Sequence, residues 1–357
     1  MEGMSPGMTI FIRDGIMFIC ESKGSFDIAC RMIRRFDFKA PLYLYASDKI
    51  LESSDQSYLQ LFDHYTSNFL TIPGILKHIK LVFLGAHEST PHCKISNAVG
   101  YIAKKTHTSV VSIQHGWIQP GLNFNTKIKN IDYTGVNTDN SRSLYHFSSI
   151  LNFFGENGIG YPAPNHKKNK EKAVETGNNR IIIATNFNWG VYTENEFEEF
   201  SQAITMMCKY LPNSSIYHRP HPAERNATKS RLLHDDTGRP ILNFHENPLA
   251  CELDWPTVVI TTPSTVALDY ITTGIKTLIY TPKIFTSYIE ELNLHASSFE
   301  NGEEMLELLD ANHKFSSSKI PLFPSSNFSD LIESLLLSTK DFVLSEEDFI
   351  KYCTFVA

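Results

Sequence analysis

Thr257-Val-Val-Ile-Thr-Thr-Pro-Ser-Thr-Val-Ala-Leu-Asp-Tyr270 is the stretch on which the fold is decided. Residues 258–260 are a short β-branched run, the pattern of a strand buried in a parallel sheet. Residues 261–265 are polar and rich in hydroxyls, and residues 266–271 have helical spacing. Ser264 stands where an N-cap belongs, with Asp269 in the second turn. Strand, tight turn and helix in that order aim unpaired backbone N–H groups and the positive end of a helix dipole at one point, where an anion can sit. A second stretch, His218-Arg-Pro-His-Pro222, follows the strand-like residues 214–217. Two imidazoles, a guanidinium and two φ-locking prolines concentrate donors on a stiff loop. Both stretches are expected at the carboxyl ends of parallel strands, where open α/β sheets bind ligands, and together they predict one phosphate site.

Outward from these stretches the β–α alternation continues. Towards the N-terminus it predicts strands at 9–12, 16–20, 42–45, 80–84, 109–113, 131–136 and 158–162. Between them the spacing predicts helices at 25–36, 58–69, 95–105 and 140–149. Residues 165–179, with His166-Lys-Lys-Asn-Lys-Glu-Lys172, are nearly devoid of apolar side chains and have the composition of an exposed linker. A new series then starts: a strand at 180–184, a capping box Thr193-Glu-Asn-Glu196 opening a helix to Tyr210, and strands before His218, at 241–244, before Thr261 and at 276–280. Helices at 303–309 and 330–337 close it, and an amphipathic tail at 345–352 is suited to packing back on the first half. The expected architecture is α/β, with two doubly wound domains facing a central cleft: 1–164, a linker 165–179, 180–340, and a tail 341–357.

Composition narrows the class. The chain has 357 residues, 42% hydrophobic and 20% charged, as in a globular protein long enough for two domains. A net charge of −7 argues against a nucleic-acid partner. No apolar run approaches the ~18 residues of a membrane span, and the start lacks the layout of a signal peptide. Six scattered cysteines without a CxxC pair suggest reduced thiols rather than disulfides or a zinc site. The expected location is cytoplasmic, with peripheral attachment to the inner face of a membrane left open.

The pairing of an Arg-x-His-Pro loop, Arg219 to Pro222, with a later Ser/Thr turn and a helical acidic residue resembles bacterial surface-polysaccharide transferases of the GT-B fold. The resemblance extends to CMP-sugar sialyl-, polysialyl- and Kdo-transferases and to CDP-glycerol-type polyol phosphotransferases. It implies two Rossmann-like domains and a nucleotide-activated donor, used as substrate with no separate cofactor. It also implies that His221 and Ser264/Thr265 hold donor phosphate, with Asp269 at the ribose; Arg219, as a nearby positive charge, and Thr262, in the hydroxyl turn, join them as donor-binding candidates. Gln114-His115-Gly116 is similar to a histidine-glycine loop in the first half of several such enzymes. One departure is plain: polyol transferases tend to carry Thr-Asp-Tyr-Ser-Ser where this chain has Thr261-Thr-Pro-Ser-Thr265, which counts against that branch.

The first half is then expected to bind a glycan or glycolipid acceptor and to supply the base. His115 follows a predicted strand and is freed by Gly116, and its ordinary pKa suits a base near neutral pH. Glu88, in Ala86-His-Glu-Ser-Thr90, is the other candidate, as base or nucleophile. The Asp235-Asp236 and Glu198-Glu199 pairs read as solvated faces, and no DxD-like pair falls at a strand end, so no metal is expected. The leading expectation is a glycosyltransferase of capsule, O-antigen or lipooligosaccharide assembly with a CMP-activated donor. A CDP-polyol phosphotransferase and a non-catalytic nucleotide- or glycan-binding subunit are the alternatives.

Overall fold

The computed structural model describes residues 13–85, 94–113, 149–151, 153–154, 158–164, 180–187, 192–221, 224, 232–242, 258–282, 294, 297–311, 320–337 and 343–356. The linker-like segment 165–179 and the predicted strands at 9–12 and 131–136 lie outside these residues. The strands are β1 Gly15–Cys20, β2 Leu42–Ala46, β3 His64–Thr66, β4 Ile79–Leu84, β5 Ser109–Ile113, β6 Ser149–Leu151, β7 Arg180–Thr185, β8 Ser215–Pro220, β9 Val258–Thr261, β10 Lys276–Tyr280 and β11 Ser298–Phe299. Helices of eight residues or more are α1 Lys23–Ile33, α2 Lys94–Lys105, α3 Glu194–Tyr210, α4 Thr265–Thr272, α5 Gly302–Asp310, α6 Phe328–Leu337 and α7 Glu346–Val356. The described residues divide into two compact units: one holds those up to 113, at 149–162 and at 322–356, the other those between 163 and 321.

The first unit has a six-stranded sheet in the order β3-β2-β1-β4-β5-β6, parallel throughout. Every residue of β1 is buried, because a parallel sheet is covered on both faces. On one face Phe18 stacks on Phe83 at 4.9 Å, and Phe36 meets Phe328 of α6 at 4.9 Å. On the other, Met17, Ile19, Val82 and Leu84 pack with Ile95, Val99 and Ile102 of α2 and with Tyr352 of α7. The Tyr101 hydroxyl donates to Asp348 (2.9 Å) and the Tyr352 hydroxyl to the carbonyl of Phe69 (2.7 Å). At the amino end of the sheet the buried Arg13 donates to Ile79 O through Nε (3.0 Å) and Nη2 (2.7 Å), to Thr106 O (3.2 Å), and to Thr108 Oγ1. Burial holds its pKa below the ordinary arginine value.

Several expectations change here. Residues 322–337, read from sequence with the second half to residue 340, pack on the first unit instead. The aromatic contacts of Phe323 and Phe328 and a Ser109 hydroxyl bond to Leu335 O (3.0 Å) account for this. The run at 58–69 is not one helix: a short turn at Gln56–Leu59 gives way to the edge strand β3. Asp63 directs the change, since its N–H donates to Leu42 O (2.9 Å) and its carboxylate accepts from Leu42 N (2.7 Å). Residues 158–162 form only an isolated bridge between Tyr161 and Leu322, because Gly160 turns at φ +84°. A Cβ there would sit 2.4 Å from Leu322 O, so glycine is required for this close approach.

The second unit has a five-stranded parallel sheet, β11-β10-β9-β7-β8. Phe200 of α3 meets Phe187 and Tyr280, each at 5.2 Å, and Tyr280 meets Phe299 at 5.7 Å. The opposite face buries Ile182 and Val259 against Tyr270 of α4. The capping box predicted at Thr193 and Glu196 is present.

At the carboxyl end of β1 in the first unit, Glu21 accepts from Ile95 N (3.0 Å), Ser96 N (2.8 Å) and the Ser96 hydroxyl, pinning the start of α2. Burial outweighs these bonds and holds its pKa above the ordinary carboxylate range. A raised folded pKa means that this group favours the fold most below its unfolded value of ~4.3 and loses that contribution as pH rises through the raised value. The urea midpoint of Glu21→Gln, followed from about pH 4 to about pH 7, should therefore lack a downward component present in the parent. Parallel midpoint curves for the two proteins would overturn this.

Candidate functional site

The second sheet brings three chain segments together at its carboxyl edge. β7 lies between β8 and β9. The ladder runs past the strand ends: His221 N donates to Thr185 O (2.9 Å), and Thr262 N approaches Ala184 O (3.4 Å). Thr185 and Asn186, His221, and residues 262–264 are thus neighbours across three adjacent strands. Counted within this unit, the strand order is the 2-1-3-4-5 doubly wound pattern, whose connections reverse between β7 and β9. Open parallel sheets bind ligands at this reversal, because the flanking helices diverge to opposite faces and leave a crevice.

One carboxylate holds the site's backbone. Glu224 is 6% exposed and accepts from the Thr185 hydroxyl (2.8 Å), from His221 N (2.9 Å) and from Phe187 N. Its own N–H donates to His221 O (2.8 Å). His221 and Glu224 thus bond reciprocally at a spacing of three, the Glu half of a capping box, with a proline next to the cap in sequence. The Thr185 hydroxyl has a single proton, directed to Glu224, so Thr185 Oγ1 accepts from His218 Nε2 at 2.9 Å. That contact assigns the Nε2–H form to His218.

The helix after β9 presents a different end. Ser264 is the N-cap of α4 with extended backbone (φ −154°, ψ 165°), yet its side chain makes no cap hydrogen bond. Ser22, Thr193 and Asn301 do cap α1, α3 and α5 with their side chains. The dipole end of α4 therefore stands at this edge without a cap bond from the Ser264 hydroxyl, and the backbone carbonyl of Ser264 accepts from the Ala267 amide (3.0 Å).

The predicted site residues separate on these grounds. His218 and Arg219 are not in a loop; they extend β8, in register with Ile183 and Ala184. His218 is 3% exposed and bonded to Thr185, a buried framework residue. Arg219 is partly exposed, and its charge partly offsets the upward push that burial gives the Tyr270 phenol. His221, just past the strand, is partly exposed at the edge, as are Ser264 and Thr265. The Thr262 side chain is fully buried beside the Tyr192 phenol, whose pKa burial raises. Asp269 is 4% exposed, within α4 and one helical turn beyond Thr265. His115 and Glu88 lie outside the described residues. Thr185, Asn186 and Glu224 were not singled out from sequence, although Thr185-Asn186 directly follows a predicted strand and Glu224 stands three residues after His221. Among the described residues no group of three or more His, Cys, Asp or Glu could hold a metal ion, and no helix is long and apolar enough to cross a membrane.

No family model matches the sequence, and a search of the curated proteins finds no significant match. Solved structures do match. The UDP-GlcNAc 2-epimerase of Neisseria meningitidis bound to UDP-GlcNAc is 10% identical, with a TM-score of 0.56 over 92% of this chain and 100% of that one. The S. aureus MnaA–UDP complex is 10% identical, with a TM-score of 0.54 over 93% of this chain and 100% of that one. At such identities the likeness is one of fold: two parallel-sheet α/β units of the GT-B type.

Glu224→Ala removes one acceptor each from the Phe187 amide, the Thr185 hydroxyl and the His221 amide. The expected loss of stability of the second unit is about 1–3 kcal/mol, the cost of leaving buried donors unpaired. Glu224→Gln, which keeps one acceptor oxygen, should lose less. Urea unfolding followed by circular dichroism measures both. An Ala variant with the parental midpoint would mean that the carboxylate does not hold these loops.

Proposed function

We propose that the chain is a nucleotide-sugar glycosyltransferase whose second unit binds the donor, with a CMP-activated sugar as donor and a bacterial surface glycan or glycolipid as acceptor. The observation that carries this is the meeting of an uncapped helix start and a braced histidine loop at the strand-order reversal. Each supplies positive potential at a fixed place, which is what a departing nucleotide phosphate requires. In this proposal His221, Ser264 and Thr265 contact the phosphate, and Thr262 contributes through the backbone of the turn. Arg219 adds positive charge nearby, and Asp269 contacts the ribose. His115 or Glu88 deprotonates the acceptor hydroxyl, or Glu88 attacks the donor carbon. The charge of the leaving group is then met by the chain itself, without a metal, and the acceptor can be met at the inner face of a membrane.

A second proposal rests on a specific observation: two solved structures with TM-scores above 0.5 hold UDP or UDP-GlcNAc, and one is named a 2-epimerase. A sugar-nucleotide epimerase uses the same donor pocket and needs no acceptor. Incubation with CMP-, CDP- and UDP-linked compounds, followed by phosphorus and proton NMR, separates the possibilities. Release of CMP from a CMP-sugar supports the transferase, and loss of a polyol phosphate from a CDP compound the phosphotransferase. Inversion at C2 of UDP-GlcNAc supports the epimerase, and binding without turnover a non-catalytic subunit.

Two substitutions sharpen the leading proposal. His221→Ala should weaken nucleotide binding by about 1.5–3 kcal/mol, the usual value of a charge-assisted hydrogen bond. Unchanged affinity by calorimetry would leave His221 a structural residue. His115→Ala and Glu88→Gln should instead spare donor affinity and reduce kcat, by ~10²–10⁴-fold for whichever residue is the base. If both keep more than about a tenth of parental kcat at saturating donor, neither acts in the chemistry.

A further inference from the structure

Among the described residues four buried side-chain atoms have no hydrogen-bond partner: Ser112 Oγ, Thr262 Oγ1, Tyr270 Oη and Asn186 Oδ1. Ser112 is on β5 of the first sheet, paired with β4 and β6, and Tyr270 is in the apolar cluster of Ile182 and Val259. Thr262 lies beside the Tyr192 phenol. Asn186 is different, because it is the first residue past β7 and stands at the strand-order reversal. His221 follows the strand on one side of it, and Pro263 and Ser264 follow the strand on the other. Its side chain is 8% exposed, and leaving an amide oxygen unpaired there costs about 1–3 kcal/mol. Asparagine is also a poor residue for a strand end that needs only to be filled.

We propose that Asn186 is a specificity-determining residue, whose side-chain oxygen accepts a hydrogen bond from an O–H or N–H group of the bound nucleotide. The proposal rests on the nucleotide-binding function given above and adds the part of the ligand that is read. Phosphate oxygens accept and do not donate, so they suit His221 and the amides of α4 but not an amide oxygen. What an amide oxygen takes is a neutral donor, and a cytidine nucleotide carries two kinds: the ribose hydroxyls and the exocyclic amine of the base. A site built to pair with such a group rejects the analogue lacking it, because its own polar atom is then left unpaired.

The test compares CMP, 2′-deoxy-CMP, 3′-deoxy-CMP and UMP by calorimetry, with parent protein and with Asn186→Ala and Asn186→Asp. The parent should prefer CMP over one of the analogues by roughly three- to tenfold, the worth of one neutral hydrogen bond. A preference over either deoxynucleotide places a ribose hydroxyl on Asn186, and a preference over UMP places the cytosine amine there. Asn186→Ala should bring that ratio close to one. Asn186→Asp keeps an acceptor oxygen and should keep the ratio, while binding all four more weakly because its charge repels phosphate. The ratio is internal to each protein, so a general loss of folding cannot imitate the result. An Ala variant that retains the parental ratio overturns this inference and leaves nucleotide binding intact. A parent that binds none of the four overturns both.

Discussion

A buried carboxylate has to be paired, and in the second unit that requirement fixes the arrangement of the site. Removing an ionised carboxyl from water costs several kcal/mol unless good hydrogen bonds replace the hydration. Glu224 recovers this from three donors on two segments: the Thr185 hydroxyl, Phe187 N and His221 N. Those segments follow β7 and β8, so the penalty for separating them is the exposure of the charge to apolar surroundings. His218 extends the same chain through Thr185, which explains why an ionisable ring tolerates burial in a strand. His221 is thus held by a carboxylate three residues further on.

The first unit uses a related device. Past β1, Glu21 accepts from Ile95 N and Ser96 N and so fixes the entry into α2. In both units a carboxylate beyond an early strand grips backbone amides of a neighbouring segment at the carboxyl edge of a parallel sheet. The physical reason is shared. Parallel strands end with their loops on one edge, where amides are no longer paired by the ladder and need acceptors. A carboxylate with two oxygens can meet several of them at once.

Periodicity revealed what depends on burial over several residues. Both sheets are parallel, so their inner strands are apolar on both faces, and runs such as Ile181-Ile-Ile183 stand out. The edge strand β3 did not, because His64 and Tyr65 are exposed and the surrounding pattern imitates a helix. Gly160 was read as part of a strand, although only its positive φ ends that strand. His218 counts among the loop's donors in the sequence because sequence cannot tell a histidine bonded to a threonine on the next strand from one facing solvent. That the hydroxyl turn joins a strand to a helix, and that His221 stands by a strand end, was legible because these patterns are local. Glu224, Thr185 and Asn186 gain significance only when β7 is placed between the other two strands, a fact of topology that short spacings do not carry. The home of residues 322–337 was hidden for the same reason: their partners, Phe36 and Ser109, are hundreds of residues away.

The contrast among helix starts carries the synthesis one step further. Losing an N-cap side-chain bond costs ~1 kcal/mol, and serine is among the residues best able to make it. Ser22 makes it for α1, and Ser345 makes it for α7, its oxygen accepting from Asp348 N at 3.1 Å. Ser264 has the same side chain and a similarly extended backbone but leaves the bond unmade. Residue type and backbone permit the cap, so its absence puts a serine hydroxyl and a helix end at the crevice, both able to meet an anion. Under the proposed function, a phosphate at that point would supply the missing acceptor, and part of its binding energy would be the capping energy of α4. Affinity for the anion and stability of the second unit are then linked, because whatever binds the folded form alone also stabilises it.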